Sequence, residues 1–383
     1  MKKDPTLEKP GSNSKMPQVS HTKALGRTRR EFLRASLNPV VARKIERRRS
    51  MKQHVAFLLV AAAILLFSGA THARAPSPNV IKVLTLLGRP LQIAVAETHG
   101  IFAKYGLKVE TENLPNSEVL RARLADGKGD LAYLAVDNAV AMVELAHQDV
   151  IIVMGGEASQ NELIAQPEVK SINDLRGKTL IVDAPNTAYA LQMKKILLLS
   201  GMQAGRDYEI KPFGATPQRL IAMREHKENA ASMLGPPSSI VAKHAGFVSL
   251  GSVLVLIGPY QAAGYFTERV WAKEHHDALC SYLAAIIEAQ RWMMAPANKQ
   301  QVLDLMIKES HLAPDVAAET YELSMTQAGG YEKDAALNLD GFKNVLKLRA
   351  EIEGQWGGHP PALEKYYDSS YYDAALSKIK DLQ

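Results

Sequence analysis

Cysteine is almost missing: Cys280 is the only one in 383 residues. No intramolecular disulfide can form, and paired-cysteine metal motifs are excluded. The chain must rely on a hydrophobic core, which about 310 residues are enough to bury. Cys280 itself sits in the apolar helical stretch Ala278–Ile287 and reads as a buried small hydrophobe rather than a reactive thiol. The sequence also lacks a His-Glu-x-x-His pair, a phosphate loop and a Gly-x-Ser-x-Gly elbow. His275 and His276 are adjacent, so they diverge on a helix and make a poor chelate. No catalytic, metal or cofactor site is expected. Internal repeats are absent, and so are long hydrophobic runs. The apolar run Val55–Phe67 has 13 residues, whereas a membrane-spanning helix needs about 20.

That short run has neighbours of a particular kind. Met51-Lys52 precedes it and small residues, Ser68 to Ala73, follow it. This is the three-part layout of a secretory signal, so residues 51–75 are expected to be a signal peptide and the destination to be the periplasm. Residues 1–50 form either a disordered basic extension or a stretch upstream of the true start at Met51. The alternative, a twin-arginine signal at Thr28-Arg-Arg-Glu-Phe-Leu-Arg34, has Arg43, Lys44 and Arg47 to Arg49 standing between the motif and the apolar run. The start at Met51 is therefore preferred.

The formal charge of +6 belongs to this leader. Residues 1–73 hold 15 of the 46 Lys and Arg and 4 of the 40 Asp and Glu, leaving 31 basic and 36 acidic residues, net −5. A nucleic-acid partner would need a basic face on the folded part, and none is expected.

From Val80 to Ile257 short apolar runs alternate with amphipathic stretches, as parallel sheets flanked by helices require. Val80–Leu86, Lys108–Glu112, Leu131–Leu134 and Val150–Met154 read as one series of strands, and Thr179–Val182, Asp207–Lys211, Ala230–Met233 and Val253–Ile257 as a second. Pro90 fits the start of a helix, and Asn116 and Asp340 are placed to cap helices. From Val270 onward, apolar residues recur at three- and four-residue spacing, so the rest is helical.

Five local stretches give this order a family resemblance. They are His99–Val109 (His-Gly-Ile-Phe-Ala-Lys-Tyr-Gly-Leu-Lys-Val), Leu124–Tyr133, Ser171–Lys178, Leu234–Pro237 and Tyr366–Asp373. Taken together over residues 79–376, the chain resembles the periplasmic solute-binding proteins of ABC importers, of the nitrate/sulfonate/taurine and thiamine-precursor type. The resemblance implies an α/β, two-lobed periplasmic-binding-protein type II fold. Each lobe would be a mainly parallel sheet flanked by helices, with a helical C-terminal tail packed on lobe one. Lobe one would comprise residues 76–163 and 262–383, and lobe two residues 164–261, with crossovers near Asn161–Gln166 and Gly258–Phe266. It also implies a small-molecule ligand, a monomer, and an inner-membrane permease with its ATPase as partner. A ligand-sensing role beside a membrane receptor shares all these features. Related enzymes that make a thiamine pyrimidine carry a cysteine-rich iron-binding run, and this chain has no such run.

In open α/β sheets ligands sit beyond the carboxyl ends of strands, where helix N-termini point unpaired N–H groups. The positions that meet this rule are Leu87, Gly88 and Arg89; Asp137 and Asn138; Gly155, Gly156 and Glu157; Asn186, Thr187, Ala188 and Tyr189; and Gly235 and Pro236. Tyr265 is added from the return crossover. Asp137 and Asn138 are expected to cap the next helix, and Arg89 to answer a ligand's negative charge. Against that, Asp137 and Glu157 disfavour a strongly anionic ligand, so ligand charge stays open. Within 51–75, cleavage after Ala73 puts Thr71 and Ala73 at the small-residue positions, whereas cleavage after Ala75 would set Pro76 at the cut, so N-terminal sequencing of the exported protein is expected to return Arg74 as the first residue.

Overall fold

Strands rich in Val, Ile and Leu pair into two five-stranded sheets with helices between and around them. The computed structural model describes residues 79–86 and 88–381; the expectations for residues 1–78 and for Leu87 lie outside the described residues. In chain order the first half runs β1 (Asn79–Leu86), α1 (Leu91–Thr98), α2 (Ile101–Lys104), β2 (Leu107–Leu114), α3 (Ser117–Ala125), β3 (Leu131–Ala135), α4 (Asp137–Leu145) and β4 (Val150–Gly155). The chain then enters β5 (Glu162–Ala165), β6 (Thr179–Val182), α5 (Ala188–Leu199), β7 (Glu209–Pro212), α6 (Thr216–Glu225), β8 (Asn229–Leu234), α7 (Ser238–His244), β9 (Val248–Ser252) and α8 (Val253–Ile257). It returns through β10 (Ala263–Glu268) and ends in α9 (Arg269–Glu274), α10 (His276–Met294), α11 (Lys299–Ser310), α12 (Pro314–Thr326), α13 (Leu339–Glu353) and α14 (Ser370–Asp381). None of the described helices is long and apolar enough to cross a membrane.

The strand orders are β2-β1-β3-β10-β4 and β7-β6-β8-β5-β9. This is the two-lobed α/β arrangement, each sheet mainly parallel with one strand reversed: β10 runs antiparallel to β3 and β4, and β5 antiparallel to β8 and β9. The reason is connectivity. A helical crossover returns a strand to its sheet in the same sense, but β5 and β10 each arrive from the other lobe. The two connecting segments run side by side. The Ser159 amide donates to the Tyr260 carbonyl at 3.1 Å, and the Ala263 amide donates to the Glu157 carbonyl at 3.1 Å. Gly264 lets β10 fit into the middle of its sheet, since a Cβ there would meet Val136 Cγ1 at 2.6 Å and the Met154 carbonyl oxygen at 2.9 Å.

Local chemistry accounts for several boundaries. Asn116 caps α3 by accepting from the Val119 amide at 2.8 Å. Helix α13 is capped by Asn338, which accepts from the Gly341 amide at 2.7 Å, and not by Asp340. Val253–Ile257, expected as a strand, is helix α8, with Ser252 at its N-cap. A five-residue apolar run carries no periodicity that separates the two forms. Asp137 and Asn138 do not cap α4. They occupy its first turn after Val136 and are buried.

The tail departs from expectation in one respect that matters for the site. Helix α10 packs on the first sheet, in a core shared with Ile81, Ile93 and Tyr282, and Cys280 is buried there. Burial pushes its thiol up to about 11, which removes thiolate character. Helix α13, however, reaches across to α5 of the second lobe. Lys194 pairs with Glu353 at 2.7 Å and Lys195 with Glu351 at 2.5 Å. Between them Arg349, with no exposed surface, donates through Nη2 to the Asp137 carbonyl at 3.0 Å, to Asp137 Oδ2 at 3.3 Å and to the Asn186 carbonyl at 3.2 Å.

Removing one partner of such a buried pair strands the other charge. Arg349→Leu is expected to cost about 3–5 kcal/mol in urea unfolding, and adding Asp137→Asn to recover part of it. Additive losses in the double variant would show that the pair is not coupled.

Candidate functional site

The strand ends of the two sheets face each other across a cavity of about 710 Å³. The first lobe contributes the turn after β1, the first residue of α3, the end of β3, Asn138 of α4, and Glu157 on the first connecting segment. The second contributes Asp183 after β6, the first turn of α5, Leu220 and Arg224 of α6, and the Pro236–Ser238 turn. The tail closes one side with Glu309 to Leu312 and with Tyr331, whose backbone bridges to Glu157.

Among the positions singled out from the sequence, Gly88, Arg89, Asn138, Glu157, Thr187, Ala188, Tyr189 and Pro236 line this cavity. Leu87 lies outside the described residues. The others stand behind or beside the wall. Asp137 is turned to Arg349. Gly155 packs against Ala336, whose carbonyl oxygen a Cβ would meet at 2.3 Å. Gly156 carries the Tyr133 ring, which a Cβ would meet at 2.8 Å. Asn186 gives its carbonyl to Arg349 and lines a separate cavity of about 320 Å³ with Arg121 and Met142. Gly235 packs on Asn161. Tyr265 is in the core, where Gln92 donates to its hydroxyl at 3.1 Å and its ring lies 4.7 Å from that of Tyr133.

Sequence reasoning missed Ser117, Tyr133, Asp183, Arg224, Glu309 and Tyr331, all on the wall. The strand-end rule reaches Asp183, one residue past β6, and Ser117 at a helix start. Glu309 and Tyr331 come from the helical tail, where nothing local marks them.

The charges on the wall are unevenly answered. Arg89 donates to Glu309 at 2.6 Å and also pairs with Glu97, so its charge is neutralised within the protein. This departs from the expectation that Arg89 would answer a ligand's negative charge. Asp183 accepts from Ser117 Oγ at 3.1 Å across the lobes, and from Thr187 Oγ within its own lobe. Behind Tyr189, the buried Arg219 stacks on its ring at 4.4 Å and donates to Ser232 Oγ, Thr216 Oγ1 and the carbonyls of Gly214 and Met233.

Glu157 has no such relief. Among the described residues no cation pairs with it, and burial pushes its carboxyl up to about 7. Nearby, Asn138 Nδ2 donates to the Ala135 carbonyl at 3.1 Å and to Asp137 Oδ1 at 3.2 Å, which leaves Oδ1 without a partner. The Tyr133 hydroxyl is also unpartnered. Among the described residues, no group of three or more His, Cys, Asp or Glu is placed to hold a metal ion.

The raised carboxyl has a stability consequence. The folded protein keeps the Glu157 proton between about 4.5 and 7, where the unfolded chain has lost it. Native stability therefore falls as pH rises through that window. Glu157→Gln is expected to stabilise the ligand-free protein by on the order of 1–3 kcal/mol at pH 8 and by little at pH 4. Equal effects at both values in urea unfolding would show that Glu157 titrates normally.

The model of the NMT1-like family matches residues 86–307. No curated protein matches the chain. The periplasmic nitrate-binding protein NrtA from Synechocystis PCC 6803 superposes with a TM-score of 0.65 at 14% identity, covering 81% of this chain and 92% of its own. The ligand-binding component of an ABC-type import system from Staphylococcus aureus, with zinc bound, gives 0.63 at 15%, covering 78% and 99%. The alkanesulfonate-binding protein SsuA from Xanthomonas axonopodis pv. citri, bound to MOPS, gives 0.60 at 15%, covering 74% and 96%. These likenesses establish the periplasmic-binding-protein fold. With the family model spanning well over half of its length, the chain belongs to the NMT1-like family.

Proposed function

We propose that this protein captures a small organic solute between its lobes and hands it to an ABC importer. The carrying observation is the cavity of about 710 Å³ walled by both sheets and the tail. That volume falls within the range of small-molecule sites, roughly 300–1,000 Å³. The structural neighbours, a nitrate-binding protein, an alkanesulfonate-binding protein and the ligand-binding component of an import system, support the same reading. The lobes fall at residues 76–163 with 262–383, and at 164–261. The partners are an inner-membrane permease and its ATPase, reached after export to the periplasm. One chain supplies every wall, so a monomer suffices.

The mechanism follows from the two connecting segments. They form a narrow hinge, and a solute touching both lobes favours the closed form by its extra contacts there. The Ser117–Asp183 hydrogen bond already spans the lobes beside the cavity. A closed shape, distinct from the open one, is what a permease would read.

A thermal-shift screen with sulfonates, nitrate, aromatic acids, amines and pyrimidines tests this. A true ligand at a hundred times its Kd adds about 2.7 kcal/mol of apparent stability. It should also reduce the radius of gyration in solution scattering; binding with an unchanged radius would count against the hinge. Ser117→Ala removes a hydrogen bond to a charged acceptor, and a loss of up to about tenfold in ligand affinity is expected from titration calorimetry.

A further inference from the structure

At the Glu157 end of the cavity two acceptors, the Glu157 carboxyl and Asn138 Oδ1, are left without partners, and this points to a chemical class for the solute; the inference rests on the solute-binding reading above. Two of the cations at or behind the wall are already engaged. Arg89 is held by Glu97 and Glu309, and Arg219 is covered by Tyr189 and donates to four oxygen acceptors. Arg224 is exposed on the wall's outer part. The Asp183 carboxylate already takes two hydroxyl donors. What remains is Glu157, without a counter-charge among the described residues, and Asn138 Oδ1, on a side chain with 1% of its surface exposed. The amide orientation is fixed, because Nδ2 faces two acceptors. Tyr133 and Tyr331 line the wall beside Glu157, and ring faces attract cations.

We propose that the solute carries a cationic nitrogen, an ammonium or an amidinium, seated against the Glu157 carboxylate beside the Tyr133 and Tyr331 rings, with Asn138 Oδ1 accepting a further N–H. An oxyanion would meet the Asn138 acceptor and the Glu157 carboxylate at this end of the cavity, while Arg224 stands on α6 of the other lobe. A cation supplies what the half-buried carboxylate lacks, so ligand binding relieves part of the desolvation cost that the ligand-free protein carries.

The pH dependence separates this from its opposite. Facing Glu157 are Tyr133, Tyr189, Tyr331 and Asp183. The tyrosines are held above their ordinary range by burial, so they stay neutral near pH 7. Asp183 is engaged by its two hydroxyl donors. Glu157, pushed up to about 7, changes charge between pH 6 and 8; His311 also lines the cavity, and loss of the pH dependence in Glu157→Gln assigns it to the carboxyl. A cation needs it ionised and binds more weakly as pH falls. An anion held by the neutral carboxyl would bind more tightly instead.

Titration calorimetry on the full chain, with benzylamine and benzamidine against methanesulfonate and nitrate at pH 8 and 6, decides the matter. A cation should bind saturably at pH 8, about tenfold more weakly at pH 6. Glu157→Gln should weaken it about ten- to a hundredfold, while Tyr331→Leu should weaken it less and remove no pH dependence. The proposal is overturned if neither cation binds, if only an anion binds, or if Glu157→Gln leaves cation affinity unchanged. An anion that binds and shrinks the scattering radius would leave the solute-binding reading standing while removing the cation. Failure of every compound in the broader screen to shift stability or radius would instead remove that reading.

Discussion

Asp137 and Arg349 share a site with no exposed surface, and three separate parts of the chain meet there. Arg349 belongs to α13 in the tail, Asp137 opens α4 of the first lobe, and Asn186, the third partner, leads into α5 of the second. All three contacts are made by Nη2, while Nε and Nη1 are buried without a partner. Desolvation outweighs the Arg349 charge at the carboxylate, which is pushed up to about 6. The pair is thus a costly fastening rather than a source of stability, and its role is placement. It holds Asn138 on one wall and the start of α5, with Thr187 and Tyr189, on the other.

That fastening also explains where the sequence was legible and where it was not. Strand and helix identities follow from β-branched runs, capping residues such as Asn116, and glycine stops, all of which act within a few residues. The family stretches around Gly100, Gly106 and Gly177 mark turns with positive φ, a constraint visible in one residue type. The strand-end rule led to Thr187, Tyr189 and Glu157 because β6 and β4 deliver them directly. It also led to Asn186, which stands beside Thr187 but gives its carbonyl to Arg349, while Tyr265, taken from the return crossover, lies in the core. Only side-chain direction separates Tyr265 in the core from Tyr133 on the wall, and spacing does not encode which tyrosine of a stacked pair faces inward. The tail residues Glu309 and Tyr331 join the site through contacts hundreds of positions apart in sequence, such as Arg89 with Glu309. Pattern reading has no access to such pairs.

The same pairing revises what Arg89 means. Read as sequence, an arginine after the first strand suggests a counter-charge for an anion. In the folded chain its charge is divided between Glu97 and Glu309, and its contribution to the wall is shape and a dipole. The unanswered charge lies instead on Glu157, where the two connecting segments touch. On the proposed closure, whatever satisfies that group would also bear on the segments that bend.

The place of β10 in its sheet bears on how the chain is assembled. Residues 263–268 fill the slot between β3 and β4, whose own residues end at 155. As the chain emerges N-terminus first, the first lobe stays split through its middle, with two strand edges unpaired, until the second lobe has come out. The second lobe draws its strands from one contiguous stretch and has no such wait. Its early completion would bring the ends at 162 and 252 together and deliver β10 to the gap. The topology thus lets the second lobe be complete before the first, and leaves the edges of β3 and β4 as the places where self-association of an unfinished chain would begin.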